Sequence, residues 1–363
     1  MAGKTWPRRA GLLALLALAA SAAAFRASSP SSSAQEVTRP RRASAPPQKP
    51  AGGETLDEDE VVRVSTSEVL LPVTVRDASG ALVTTLLRPD FRVWEDGREQ
   101  PLSDLSLRQV PVDVALLIDS SSSTADNLED FRRAAADFAS RLGADDRVCL
   151  IKFDDRVELL QDWTRSQVQL RRSLSRVKAG MFTRFNEALY LAAREQLKPT
   201  PSRRRALVVL SDGIDSRRGR VSDADTLQAI LGSQAAVYVI SNTEIERRRK
   251  RAELDALLDD DSTPPGFNSL KVEDLREGLR VLDASEKGLS LLCSSTGGRL
   301  YRPAGFDALG DLYGEIADEL RHQYALYYRP TNRARDGAFR RVRVEVSGPG
   351  MRVTARVGYY GPK

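Results

Sequence analysis

Five oxygen-bearing residues stand where an ion could use them. Asp119, Ser121 and Ser123 lie in "VDVALLIDSSSST", Val112 to Thr124, where an apolar run ends in one acid and four serines. Thr183 follows in "AGMFTRFNEAL" and Asp212 in "ALVVLSDG". Hydroxyls and carboxylates are hard donors. They suit Mg²⁺, which wants oxygen ligands in near-octahedral geometry and keeps several waters; Mn²⁺ and Ca²⁺ are the other candidates. So few charged donors leave an ion incompletely neutralised. It would still attract one more anionic oxygen, such as a partner's carboxylate. The rival use of "DSSSS" is helix capping, a common task for Asp and Ser. Thr183 and Asp212, each in a loop beside a helix or strand end, weigh against capping alone.

The five can meet only if strand ends converge. Strand-like runs occur at Val112–Ile118, Arg147–Phe153, Ala206–Leu210 and Ala236–Ile240. Helical patterns occur at Leu128–Arg141, Phe185–Leu197, Asp223–Ser233 and Phe306–His322. Such alternation predicts an α/β fold, a doubly wound and mostly parallel sheet with helices on both faces. Ligands of such sheets bind outside the carboxyl ends of the strands, at the switch point. Asp119 and Asp212 would both sit there.

The rest of the chain divides by composition. Residues 1–24 have a basic start, an apolar middle and a small-residue end, the pattern of a signal peptide. The apolar run is short for a membrane span. Arg8-Arg9 is a weak hint of twin-arginine export. The signal implies a secreted or periplasmic, cell-envelope protein, membrane-bound only if the segment stays uncleaved. Residues 25–60 are rich in Ser, Pro and Ala and read as a linker. Residues 61–110 read as short strands: "VVRVS", "EVLLPVTVRD", "GALVTTL" and "FRVWEDG". Residues 323–363 read as strands again, through "YALYYRP", "FRRVRVEV" and "MRVTARVGYY". Each β segment is too small to be comfortably stable alone. Joined, they would form a small sandwich into which 111–322 is inserted, with "LLPVTV" facing "VRVEV" and "VTARV" across a shared core. Residues 244–285 break the α/β rhythm and read as an insertion. Its basic run Arg247–Arg251 reads as a solvated helix face.

Composition excludes several chemistries. Of 363 residues one is histidine, His322, and no G-x-S-x-G occurs. A Ser-His-Asp hydrolase or a histidine zinc site is therefore disfavoured, and His322 reads as a packing or capping residue. A net charge of +5, part of it in the N-terminal segment, gives no electrostatic case for nucleic acid. Cys149 and Cys293 sit in apolar surroundings and read as small buried hydrophobes.

Asp119-x-Ser121-x-Ser123, Thr183 five residues before Ala188-Leu189, and Ser211-Asp212-Gly213 after an apolar strand together resemble the von Willebrand factor type A domain. The resemblance spans about residues 111–322, and the five residues match that family's metal-ion-dependent adhesion site one for one. It implies that Ser121, Ser123 and Thr183 contact the ion more directly, and that Asp119 and Asp212 act largely through water. The flanking β segments are similar to those of acidobacterial-type secreted relatives. One departure is "AGMFTRF", where many members have Gly-Gly-Thr; Met181 and Phe182 make this loop bulkier.

Three functions compete. The favoured one is a non-catalytic binding module that captures an acidic group of a protein ligand through the metal. A structural envelope protein with a vestigial metal site is the second. An aspartate-nucleophile phosphatase is the third. That chemistry needs a second acid two residues after the first, and position 121 is Ser.

Overall fold

The computed structural model describes residues 68–106, 110–198, 203–216, 219–259 and 268–363. The expected signal peptide, linker and "VVRVS" strand lie outside the described residues, as do the side chains of Ser123, Ala125 and Asp126. The N-terminal β segment supplies β1 (Val69–Arg76), β2 (Phe91–Glu95), β3 (Arg98–Gln100) and β4 (Leu102–Ser106). The α/β unit begins with β5 (Val112–Asp119), α1 (Leu128–Arg141), β6 (Arg147–Phe153), β7 (Val157–Thr164) and α2 (Gln167–Leu174). It continues with α3 (Phe185–Leu191), β8 (Arg204–Leu210), α4 (Asp223–Ser233) and β9 (Ala236–Ile240). It closes with α5 (Thr243–Leu258), α6 (Ser269–Thr296), β10 (Leu300–Tyr301) and α7 (Leu309–His322). The chain ends in β11 (Tyr324–Tyr328), β12 (Phe339–Val346), β13 (Arg352–Thr354) and β14 (Gly358–Tyr360).

The central sheet has the order β10-β9-β8-β5-β6-β7. All neighbours are parallel except β6 and β7. All eight residues of β5 are buried. Strand alternation sends its side chains into two cores. Val112, Val114, Leu116 and Ile118 pack with α1, α2 and α7, while Ala115 and Leu117 pack with α3, α4 and α6. The chain leaves β5 for α1 on one face and β8 for α4 on the other. The carboxyl ends of β5 and β8 are therefore the switch point, the crevice where such sheets bind ligands.

Two four-stranded antiparallel sheets complete the structure, β13-β1-β11-β4 and β14-β12-β2-β3. Their apolar faces share one core, including Leu71, Val73, Val93, Leu326 and Val342. Strands of the two chain ends interleave. β11 lies between β1 and β4, and β12 pairs with β2 from Val342 opposite Glu95 to Val346 opposite Phe91. The facing of the two sheets differs from the sequence expectation at one strand. "VRVEV" does lie in the sheet opposite β1, but "VTARV" lies beside it. Val353 pairs with Val75 in the same sheet, because β1 has a free edge there that β13 completes. "GALVTTL" forms only a bridge, Arg76 to Leu82.

Helix boundaries also differ in places. The helix expected to run to Leu197 ends at Leu191 and continues as a π-turn over Ala192–Gln196. The stretch expected to end as an insertion at 285 does not stop there. α6 passes through that point as one helix, and its later residues Leu289 and Cys293 belong to the core under the sheet. Arg247, expected on a solvated face, is buried among Glu244, Asp283 and Glu286.

One buried carboxylate gathers partners from both the sandwich and the α/β unit. Glu319 on α7 is 1% exposed. It accepts from Thr74 Oγ1 (3.2 Å) and Arg76 Nη2 (2.6 Å) of β1, and from Tyr238 Oη (3.1 Å) of β9. Gln323 closes the cluster by donating to Thr74 Oγ1 and Tyr238 Oη. Removing one member of a buried ion pair strands the other charge. Glu319→Ala is expected to lower the unfolding free energy by about 3 kcal/mol. Tyr238→Phe, which removes one hydrogen bond, should lower it by about 1 kcal/mol. Urea unfolding followed by tryptophan emission measures both, and equal small losses would show that the carboxylate does not hold the junction.

Candidate metal centre

Asp119 ends β5 and is completely buried. Its Oδ1 accepts the backbone N–H of Ser121 at 2.9 Å, and its Oδ2 accepts the Ser211 hydroxyl at 2.6 Å. The second bond crosses from the end of β5 to the end of β8. Ser211 Oγ in turn accepts the Gly213 N–H at 3.0 Å, so the β8 loop turns around the same hydroxyl. Burial pushes the Asp119 carboxyl up to about 7, and the nearby Asp212 carboxylate adds to the rise. Two acids are thus held close in a poorly solvated place.

The loop before α3 is bound to both strand ends. Gly180 N–H donates to Ser120 O at 2.7 Å, and Ser122 Oγ donates to Met181 O at 3.1 Å. On the other side, Thr183 N–H donates to Ser216 Oγ and Ser216 N–H returns to Thr183 O, both at 2.9 Å. Asn186 N–H adds a bond to Asp215 Oδ2. Three loops far apart in sequence therefore meet at the switch point. Asp119, Ser121, Thr183 and Asp212 are all buried where they meet. Ser123 lies in the 3₁₀ turn Ser122–Asn127 that follows.

The bulky departure in this loop is accommodated simply. Met181 is 69% exposed, so its side chain reaches solvent while its backbone stays tethered. Its N–H donates to Asp155 Oδ2 at 3.1 Å. Gly180 makes the tether possible. A Cβ there would lie 2.5 Å from the Asp154 carboxylate, which is itself held by Lys152 (2.7 Å) and Ser120 Oγ (3.1 Å).

Sequence reading did not single out Ser120, Ser211 or Asp154 as supports. Ser211 was visible in "SDG", but its partner, the acid at the other strand end, is set by the sheet and not by local spacing. His322 behaves as expected, with Nδ1 2.7 Å from Asp318 O in the last turn of α7. Cys149 and Cys293 are buried and unpaired. Among the described residues no group of three or more His, Cys, Asp or Glu is arranged to hold a metal. A centre here would rest on two acids and hydroxyls, which is the chemistry of hard cations.

A family model for the von Willebrand factor type A domain matches residues 114–214. The uncharacterized protein sll0103 of Synechocystis sp. is 30% identical over 109 residues, 29% of this chain. The match spans 26% of that relative's length. Among solved structures, the vWF domain of the type V pili tip protein Mfa5 from Porphyromonas gingivalis is similar at 23% identity and TM-score 0.28, covering 30% of this chain and 39% of that one. An aerotolerance-related membrane protein from Bacteroides fragilis is similar at 20% identity and TM-score 0.39, covering 58% and 98%. Proximal thread matrix protein 1 from the mussel byssus, with a zinc-occupied MIDAS motif, is similar at 16% identity and TM-score 0.41, covering 62% and 49%.

Gly180→Ala tests the tethering of the loop. Asp154 cannot give way without breaking its own bonds, so overpacking by one methyl is expected to lower stability by about 2 kcal/mol. Thermal unfolding measures it. A variant as stable as the parent chain would show that the loop has room.

Proposed function

We propose, from the premise that this chain carries a von Willebrand factor type A domain matched over residues 114–214, that the domain holds one divalent cation and uses it to capture an acidic group of a protein ligand. Asp119, Ser121, Ser123, Thr183 and Asp212 would hold the ion, Mg²⁺ first and Mn²⁺ or Ca²⁺ as substitutes. The carrying observation is the fully buried Asp119, bonded to Ser121 and Ser211 and crowded by Asp212. A cation opposes both the burial and the repulsion that push this carboxyl up. The ion supplies a positive point that a ligand's carboxylate completes. Hydroxyl donors leave that point strongly charged, and the tethered loops hold the donors in place before any ligand arrives.

Binding, not turnover, is the proposed chemistry. The acids would hold and orient the ion, and Ser121 occupies the position where a phosphatase of the aspartate type needs its second acid. The proposed setting is secreted or periplasmic, at the cell envelope, on the strength of the residue pattern of 1–24. Among the described residues no helix is long and apolar enough to cross a membrane.

Titration calorimetry of the full chain with Mg²⁺ and Mn²⁺ tests the reading. One ion is expected per chain. Asp119→Ala should weaken it by about 100-fold, the upper range for a residue that acts on a metal through an intermediate shell. The fold should survive, because the change lies at a strand end. Unchanged affinity in the variant, or no binding by the parent chain, overturns the proposal.

A further inference from the structure

We infer that Ser285 is a positioning residue for the metal centre, and that through it the α5–α6 hairpin and the centre are energetically coupled. The inference rests on the metal reading above and adds to it a residue and a chain segment outside the expected ligand set.

Four observations carry it. Ser285 Oγ donates to the backbone carbonyl of Asp212 at 2.7 Å. This is a bond from the middle of α6 to the peptide unit of a proposed ligand. One turn later, Leu289 packs directly on Gly213. Gly213 has φ +69°, and a Cβ there would lie 2.6 Å from a Leu289 methyl. The glycine is thus required twice, for its backbone and for the approach of α6. The Asp212 loop is held from below by Ser211 and from the side by α6.

The hairpin is itself locked beside this contact. Arg247 on α5 is 9% exposed and pairs with Asp283 (3.1 Å) and Glu286 (2.6 Å) on α6, the residues that bracket Ser285. Glu286 also pairs with Arg302, beyond β10. Farther out, Lys250 lies over Gly278 and Lys271 pairs with Glu253 at 2.8 Å, so the two helices run antiparallel over their length. Residues of α6 before Ser285 contribute little to the core under the sheet, whereas Leu289 and Cys293 belong to it. The hairpin therefore leaves the body of the domain at the very residue that touches the site.

A shift of α6 that breaks the Ser285 bond releases the Asp212 carbonyl and frees the loop to reorient its carboxylate. A cation that fixes Asp212 must, by reciprocity, favour the docked hairpin. Whatever binds the hairpin would then tune the metal centre, and the converse.

The full chain with Mn²⁺ alone is the probe. Ser285→Ala is expected to weaken Mn²⁺ binding roughly fivefold, the factor one lost hydrogen bond carries. Alanine favours helix, so damage to α6 does not explain such a loss. Ser285→Thr should restore the affinity, and Ser290→Ala, on an exposed position of the same helix, should not change it. Hydrogen exchange gives the second readout. Mn²⁺ should slow exchange across 283–289 in the parent chain and fail to do so in Ser285→Ala. If the parent chain binds no Mn²⁺, the metal reading and this inference fall together. If it binds and Ser285→Ala binds equally, or if 283–289 does not respond, the coupling alone is wrong.

Discussion

An acid at the tip of a fully buried strand is the constraint around which this α/β unit is arranged. β5 is buried along all eight residues, and its last residue is Asp119. A carboxylate there loses water on every side, which disfavours its charge. The surroundings answer with directed donors rather than with a basic side chain, among them the Ser121 N–H on one oxygen and the Ser211 hydroxyl on the other. Because the hydroxyl comes from Ser211, the answer also fixes the end of β8 against the end of β5. The β8 loop then carries Ser216 to Thr183, and the loop of Thr183 returns to Ser120. The crevice at the switch point is shaped by satisfying one difficult group.

Another buried carboxylate plays the same part where the sandwich meets the α/β unit. Glu319 gathers Thr74 and Arg76 from the sandwich and Tyr238 from the sheet. A polar junction of this sort orients two units more narrowly than apolar packing does, since each donor has one acceptable direction. It also explains why the two chain ends can be one body. β11 follows α7 after a single residue, Gln323, and enters directly between β1 and β4. The junction residue Gln323 bonds to both sides.

Much of this was legible where local pattern and burial agree. β6, α1, α4 and β9 have the bounds the sequence suggests, because each shows a clean apolar period against a neighbour on one or two faces. β7 was not legible. It is an edge strand without a fully buried residue, so "VELLQDWT" has no apolar stripe to read. The sequence splits α6 because its outer half carries charge at most of its exposed positions. Its buried leucines Leu275, Leu282 and Leu289 recur one per seven, too sparse to outweigh the charged pattern. The five proposed ion ligands were legible as residue types in loops beside strand and helix ends. Their supports were not, since Ser211, Gly180 and Asp154 act across elements that only the sheet order brings together.

The row of hydroxyls after β5 has a division of labour that spacing alone hides. The even positions are spent on the loop itself. Ser120 Oγ donates to Asp154, Ser122 Oγ to Met181 O, and Thr124 Oγ1 lies 3.0 Å from both Asp119 O and Ser121 O. These bonds satisfy backbone and side-chain groups that burial would otherwise leave costly. The odd positions are Asp119, Ser121 and Ser123, the ligands proposed above. Local bonding and the proposed ion binding therefore overlap at Asp119, whose Oδ1 accepts the Ser121 N–H. A loop with hydroxyls at successive positions can be tethered by its even residues, which the proposed ion does not use. The same logic explains why a serine run stands here: an apolar side chain at an even position would remove a tether.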